Sequence, residues 1–271
     1  MKRITYLSFG AGVQSTALLV MSNKGLYGCP RADVAIFADT GDEPSWVYEN
    51  VKRMQEWSEI PVEVVRQGHL SGDIISRHNG KSPRFAAIPA FTPNGEGRES
   101  MLRRQCTREY KIQPIERKVR ELCGIEKGRR AVGKIKAMAL IGISLDEVTR
   151  MSPSRTAWVE NCYPLVDAEL RRHDCREIVR AAGLPVPEKS SCVFCPYHSD
   201  EFWRKLQVQY PKEWEHVCNL DDAFRDMSRS GITRPVYLHR SLVPLRELDF
   251  TKQGRLFNDL EDEECEGGCF L

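Results

Sequence analysis

RITYLSFGAGVQSTALLVMSNKG, residues 3–25, decides the fold. RITYLSF is short, apolar and β-branched and runs into Gly10; from Val13 the apolar residues recur at helical spacing until Gly25. The stretch reads as strand, tight turn, helix. A glycine-rich turn at such a junction collects backbone amides at a helix N-terminus, which favours an anion such as phosphate. Read by itself, the same turn could also serve only to let the helix pack on the strand. It is not a Walker A loop, because no Gly-Lys-Ser/Thr ending follows, and it is not the dinucleotide fingerprint, because Ser15 stands at the third glycine.

The pattern repeats outward from this unit. ADVAIFADTG (32–41) reads as a buried strand, PSWVYENVKRMQEWSEI (44–60) as a helix and PVEVVRQ (61–67) as a third strand. This alternation predicts an α/β fold, a parallel sheet flanked by helices with right-handed crossovers. Loop signals fill 77–100, QPIERKVRELCG (113–124) reads as a helix and AMALIGIS (137–144) as another buried strand. After Arg155 the signals are helical. The expected organisation is therefore an α/β domain over 1–155, a helical, cysteine-containing extension over 156–250 packed on it, and an acidic tail over 251–271.

No apolar stretch approaches the ~20 residues of a membrane span, and the N-terminal apolar run is too short for a signal-peptide core, so a cytoplasmic protein is expected. Ten cysteines in such a chain point to metal or sulfur chemistry rather than to a disulfide framework. The net charge of +2 hides an asymmetry: between Arg77 and Lys136, sixteen Lys and Arg stand against six Glu and no Asp. Arg103, Arg104, Arg108 and Lys111 cluster there around Cys106, as anion-binding or nucleic-acid-binding candidates or as a solvated face.

Several segments resemble, in order, those of the PP-loop ATP pyrophosphatases, also called adenine nucleotide alpha hydrolases. That family's loop reads Ser-Gly-Gly-x-Asp-Ser; here Gly10, Ala11, Gly12, Val13, Gln14 and Ser15 align with it. Gln14 replaces the Asp. Asp39, Thr40 and Gly41 match the Asp-Thr-Gly of the phosphoadenosine phosphosulfate reductase-like branch, although Asp39 could also be an N-cap. GISLDEVTR (142–150) aligns with its Gly-x-Arg-x-x-Glu-Ser-x-x-Arg segment, with Ser144 at the first Arg. The resemblance implies a nucleotide site built from Ser8, Gly10, Ala11, Gly12, Gln14, Ser15, Asp39, Thr40, Gly41, Gly142, Glu147 and Arg150, with Arg150 as an anion clamp and Asp39 counted among the catalytic groups. Glu147 and Arg150 could also be a simple exposed helix pair.

SSCVFCPYH (190–198) carries Cys192 and Cys195, a C-x-x-C that could bind a metal, act as a redox pair or sit as buried thiols. QCTREYKIQPIERKVREL (105–122) resembles the Cys-Cys-x-x-x-Lys-x-x-Pro-Leu segment of the iron-sulfur adenylyl sulfate reductases, with Gln105 at one cysteine. The resemblance implies a [4Fe-4S] cluster on Cys106, Cys192 and Cys195, and Cys175, at a predicted helix start shortly before the C-x-x-C, is chosen as the replacement for the missing fourth cysteine. Cys162 is a second choice for the third ligand, and zinc on the same residues, with His198 as a substitute ligand, is the non-redox alternative. EECEGGCFL (263–271) resembles the C-terminal Glu-Cys-Gly of sulfonucleotide reductases; Cys265 takes the nucleophile's place and Cys269 could resolve it.

Three functions follow. The first and preferred is ATP-dependent sulfur insertion into a nucleic acid, of the tRNA thiolation or DNA phosphorothioation type, with Mg2+ as a further cofactor and a cysteine desulfurase as sulfur donor. The second is reduction of adenylyl sulfate or its 3′-phosphorylated form to sulfite, with a thioredoxin-type electron donor. The third is a non-catalytic zinc module that binds nucleotide or nucleic acid. All three expect an adenine nucleotide or a nucleic acid as partner and no membrane.

Overall fold

The computed structural model describes residues 3–80, 88–131 and 135–251. The chain runs β1 (Ile4–Ser8), α1 (Val13–Lys24), β2 (Val34–Asp39), α2 (Ser45–Trp57), β3 (Val62–Arg66) and α3 (Leu70–His78). An antiparallel hairpin of β4 (Phe91–Pro93) and β5 (Glu99–Met101) follows, then a π-helical turn over Thr107–Ile112 and α4 (Gln113–Leu122). β6 (Ala137–Ile141), β7 (Val159–Cys162), the short α5 (Pro164–Asp167), α6 (Arg172–Ala181), α7 (Asp200–Gln209) and α8 (Pro211–Phe224) complete the main elements.

Five strands form one sheet in the order β3-β2-β1-β6-β7, and every pairing is parallel. Successive side chains of a strand point to opposite faces. Each strand here therefore supplies two cores. Leu7, Ala35, Phe37 and Leu140 face one core with α1, α2, α6, α7 and α8; Tyr6, Ile36, Ala38, Ala139 and Ile141 face the other with Ile115 and Val119 of α4. This double burial is why β2 is apolar without alternation, with all six residues buried up to its final Asp39. α1 is likewise buried from Val13 to Ser22, held between the sheet and α6.

Two expectations change. The sheet does not end at residue 155: β7 pairs with β6 from Ala137↔Val159 to Leu140↔Cys162, and its four residues are too few to show a strand period. The loop expected over 77–100 contains β4 and the start of β5, tied back to the C-terminal part by paired bonds between Phe91 and Tyr237 at 2.8 Å. The helical signal after Ser199 resolves into two helices, α7 and α8, that meet at Tyr210, where Pro211 begins α8. Among the described residues, no helix is long and apolar enough to cross a membrane.

Candidate active site

From β1 the chain moves outward in one direction to β2 and β3, and later returns to the other side of β1 as β6. Open parallel sheets bind ligands at such a switch point, outside the carboxyl ends of the strands. Here a crevice opens at that place, lined by Ser8, Gly10, Gly12, Gln14, Ser15, Ile141, Gly142, Ile143, Arg150 and Ser190.

The turn after β1 is built to present amides. Ala11 takes a left-handed conformation at φ 60°, and Asn50 of α2, itself buried, donates to Ala11 O at 2.9 Å and Thr16 Oγ1 at 3.2 Å. These bonds fix the reversal that aims α1 at the crevice. Gly12 caps α1 without a side-chain bond, and the first turn of the helix carries no acidic residue of its own, which favours an anion there. Gly142 lets β6 approach: a Cβ there would lie 3.0 Å from Ser15 N and 3.1 Å from Ser15 Cα. On the far side, Gln14 donates to Glu147 Oε2 at 3.2 Å and Arg150 donates to Glu147 Oε1 at 2.5 Å. The pair expected as an exposed alternative is therefore mostly buried, with side chains 18% and 16% exposed, and Arg150 lines the crevice.

A second cavity of about 320 Å³ shares the wall residues Ser8 and Ile141 with the crevice. It lies between the sheet and α4, and Tyr6, Gln113, Glu116, Asn161, Thr156, Arg108 and Arg155 are among its walls. Its size is at the lower end of small-molecule sites, which run from ~300 to 1,000 Å³. The sequence reading missed it. The available signal was the period of two that puts Tyr6 and Ser8, Ala139 and Ile141, and Val159 and Asn161 on one sheet face.

No protein-family model and no curated protein matches the chain. Among solved structures, the chain is similar to a phosphoadenylyl-sulfate (PAPS) reductase from Candida auris in its phosphate complex. The likeness has 14% identity and a TM-score of 0.44, over 69% of this chain and 77% of that one.

Asp39 ends β2, but its carboxylate is fully engaged. Oδ1 accepts from Gly41 N at 2.7 Å and Tyr48 Oη at 3.0 Å, and Oδ2 accepts from Arg66 Nε at 3.0 Å and from a second guanidinium nitrogen. It braces the loop rather than lining either cavity. Gly41, at φ 85°, packs on His69: a Cβ there would lie 2.9 Å from the His69 ring.

The next residues of this loop meet the distant cysteines. Thr40 Oγ1 lies 3.3 Å from Cys192 Sγ and donates to Glu43 Oε1 at 3.1 Å; Cys192 Sγ donates to the same oxygen at 3.7 Å, and Lys111 Nζ pairs with it at 3.2 Å. Burial and the Glu43 carboxylate push the Cys192 thiol well above its ordinary range, which Lys111 only partly offsets. Cys106, at the start of the π-helical turn, is near enough to add to that rise.

The four thiols of the implied iron-sulfur cluster do not form one site. Among the described residues, no three His, Cys, Asp or Glu side chains gather to hold a metal ion. Cys175 is wholly buried on α6, the helix that packs on α1, and burial together with Asp146 and Asp174 pushes its thiol up to about 12. Asp146, Asp174 and Arg172, the titratable groups around Cys175, are none of those around Cys192, which are Glu43, Lys111 and Cys106. The described residues do not fit a four-thiolate cluster. Cys162 belongs to β7 and is also raised by burial. His198 is fully buried and stacks on Phe202 with ring centroids 3.4 Å apart, and its Nε2 lies 2.9 Å from Cys192 O. Cys265 and Cys269 lie outside the described residues.

The basic cluster disperses. Lys111 turns inward to Glu43, Arg104 lies over the Tyr197 ring at 5.6 Å and donates to Thr107 Oγ1 at 2.8 Å, Arg108 lines the 320 Å³ cavity, and Arg103 is exposed.

Proposed function

We propose that the chain is an enzyme that binds an adenine nucleotide at the β1–β6 switch point and acts on a sulfur-bearing group of that nucleotide. One observation carries this reading: the crevice at the α1 N-terminus lies beside a nucleoside-sized cavity, with Ser8 and Ile141 in the walls of both. The α1 amides and Arg150 hold the phosphate side, and the space between the sheet and α4 takes the nucleoside.

A small sulfonucleotide suits this site better than a nucleic acid. A polyanion track needs its cations outward and in line, whereas Lys111 is committed to Glu43 and Arg104 to Thr107 and the Tyr197 ring. The reading therefore moves to reduction of adenylyl sulfate, or of its 3′-phosphorylated form, to sulfite and the corresponding nucleoside phosphate. The thiolate of Cys265 would attack the sulfonyl sulfur, the sulfur–oxygen bond to phosphate would break, and the nucleotide would leave with the electron pair. Cys269 would then attack Cys265 Sγ, releasing sulfite and leaving a disulfide that a dithiol donor reduces.

The test is calorimetric binding of ATP, adenylyl sulfate and its 3′-phosphorylated form, followed by a sulfite assay with dithiothreitol for wild type and Cys265→Ser. Sulfite formed by wild type and lost in the variant supports the reading. Tight ATP binding with nucleic-acid-dependent ATP cleavage and no sulfite selects sulfur insertion. Stoichiometric zinc with nucleotide retained and no turnover selects the non-catalytic module.

A further inference from the structure

One wall of the crevice comes from a distant part of the chain. Ser190 lines it beside Gly12 and Arg150, and a Cβ placed on Gly12 would lie 2.7 Å from Ser190 Oγ. The hydroxyl thus lies close beside Gly12, the residue that caps α1 without a side-chain bond. The loop carrying it is pinned on both sides. Lys189 O accepts from Trp46 Nε1 at 3.1 Å, and Val193 N donates to Asp42 O at 2.8 Å. Cys192 is fixed beside Thr40 in the same loop. Such bracing holds the hydroxyl in place before any ligand arrives, so little ordering cost falls on binding.

We propose that Ser190 is a ligand of the anion bound in the crevice, so that the C-terminal extension completes the phosphate site instead of merely packing on it. The hydroxyl donates to a phosphoryl oxygen that the α1 amides and Arg150 also hold. Serine suits this place because it adds a donor without a charge and faces a glycine that gives it room. The identity of the ligand as an adenine nucleotide rests on the function proposed above; the anion contact itself does not.

The experiment is calorimetry on the full chain with inorganic pyrophosphate, ATP, adenylyl sulfate and adenosine, for wild type, Ser190→Ala and Ser191→Ala, with circular dichroism to confirm folding. Ser191 is the control: its Oγ is buried without a partner and it does not line the crevice. A hydrogen bond to a charged group predicts that Ser190→Ala weakens pyrophosphate and both nucleotides by about ten- to a hundredfold. Adenosine binding and the Ser191→Ala protein should stay within about twofold of wild type. If Ser190→Ala binds every ligand like wild type, even with a lowered melting temperature, the hydroxyl only caps α1 and the proposal fails. An equal loss in Ser191→Ala, or for adenosine, also overturns it, as a loop disturbance. Wild type that binds pyrophosphate through Ser190 but no adenine nucleotide keeps the anion ligand and ends the nucleotide reading. Wild type that binds neither ends both.

Discussion

Gly142→Ala tests the geometry on which the site depends. Gly142 follows β6 directly, and the atoms a new methyl would meet are backbone: Ser15 N at 3.0 Å, Ser15 Cα at 3.1 Å and Gln14 C at 3.3 Å. Ordinary contact would need a few tenths of an ångström more. Neither partner can yield easily, because α1 is buried from Val13 to Ser22 and β6 is hydrogen-bonded between β1 and β7. Overpacking of this kind costs ~1–3 kcal/mol. Replacing glycine also restricts the unfolded chain, which returns ~0.4–1 kcal/mol where the native backbone suits alanine. The net expectation is a loss of ~1–2 kcal/mol by urea denaturation, or ~2–8 °C in melting temperature for a chain of this size. Whatever relaxation occurs moves the first turn of α1 away from the crevice, so affinity for ATP or adenylyl sulfate should fall by about tenfold or more in calorimetry. A protein as stable as wild type within ~0.5 kcal/mol, with unchanged affinity, would show that β6 and the α1 N-terminus are not packed as described and would remove the basis of the phosphate site.

Other expectations follow from the same contacts. Arg150→Ala should weaken phosphate-bearing ligands by roughly ten- to a hundredfold and leave adenosine unaffected, since its guanidinium lines the crevice and not the larger cavity. Glu43→Gln and Lys111→Met should each destabilise by ~3–5 kcal/mol in urea titrations, because the pair is buried, with side chains 1% and 11% exposed. The double variant should lose clearly less than the two single losses together, and additivity would deny the pair. His198 gives a pH signature. Burial holds it well below its ordinary 6.5, so below about pH 6.5 the unfolded chain takes up a proton that the folded chain refuses. Stability should therefore fall with acid by ~1.4 kcal/mol per pH unit more in wild type than in His198→Asn between pH 6 and 5. Equal slopes would place the imidazole in water.

The sequence by itself determined the parts of this protein that depend on near neighbours in the chain. The break from a β-branched run to a 3.6-residue period around Gly10–Gly12 specified β1, the turn and α1. The uninterrupted apolar run of VAIFAD specified a strand buried on both faces. Alternation of such units specified a parallel sheet, and the glycines marked where an amide-lined turn would face a ligand. Those are local signals, and local backbone physics decides them.

What the tertiary structure alone decided lies at long separations. Thr40 and Cys192 are 152 positions apart and Gln14 and Glu147 are 133 apart, and no period carries information over such distances. The engagement of Asp39 by Arg66 and Tyr48, the inward turn of Lys111, the separation of Cys175 from Cys192 and the arrival of Ser190 at Gly12 follow from how the elements pack. A sequence motif names side chains able to do chemistry; burial and packing select which of them meet, because each desolvated polar group must find its partner in space wherever that partner falls in the chain.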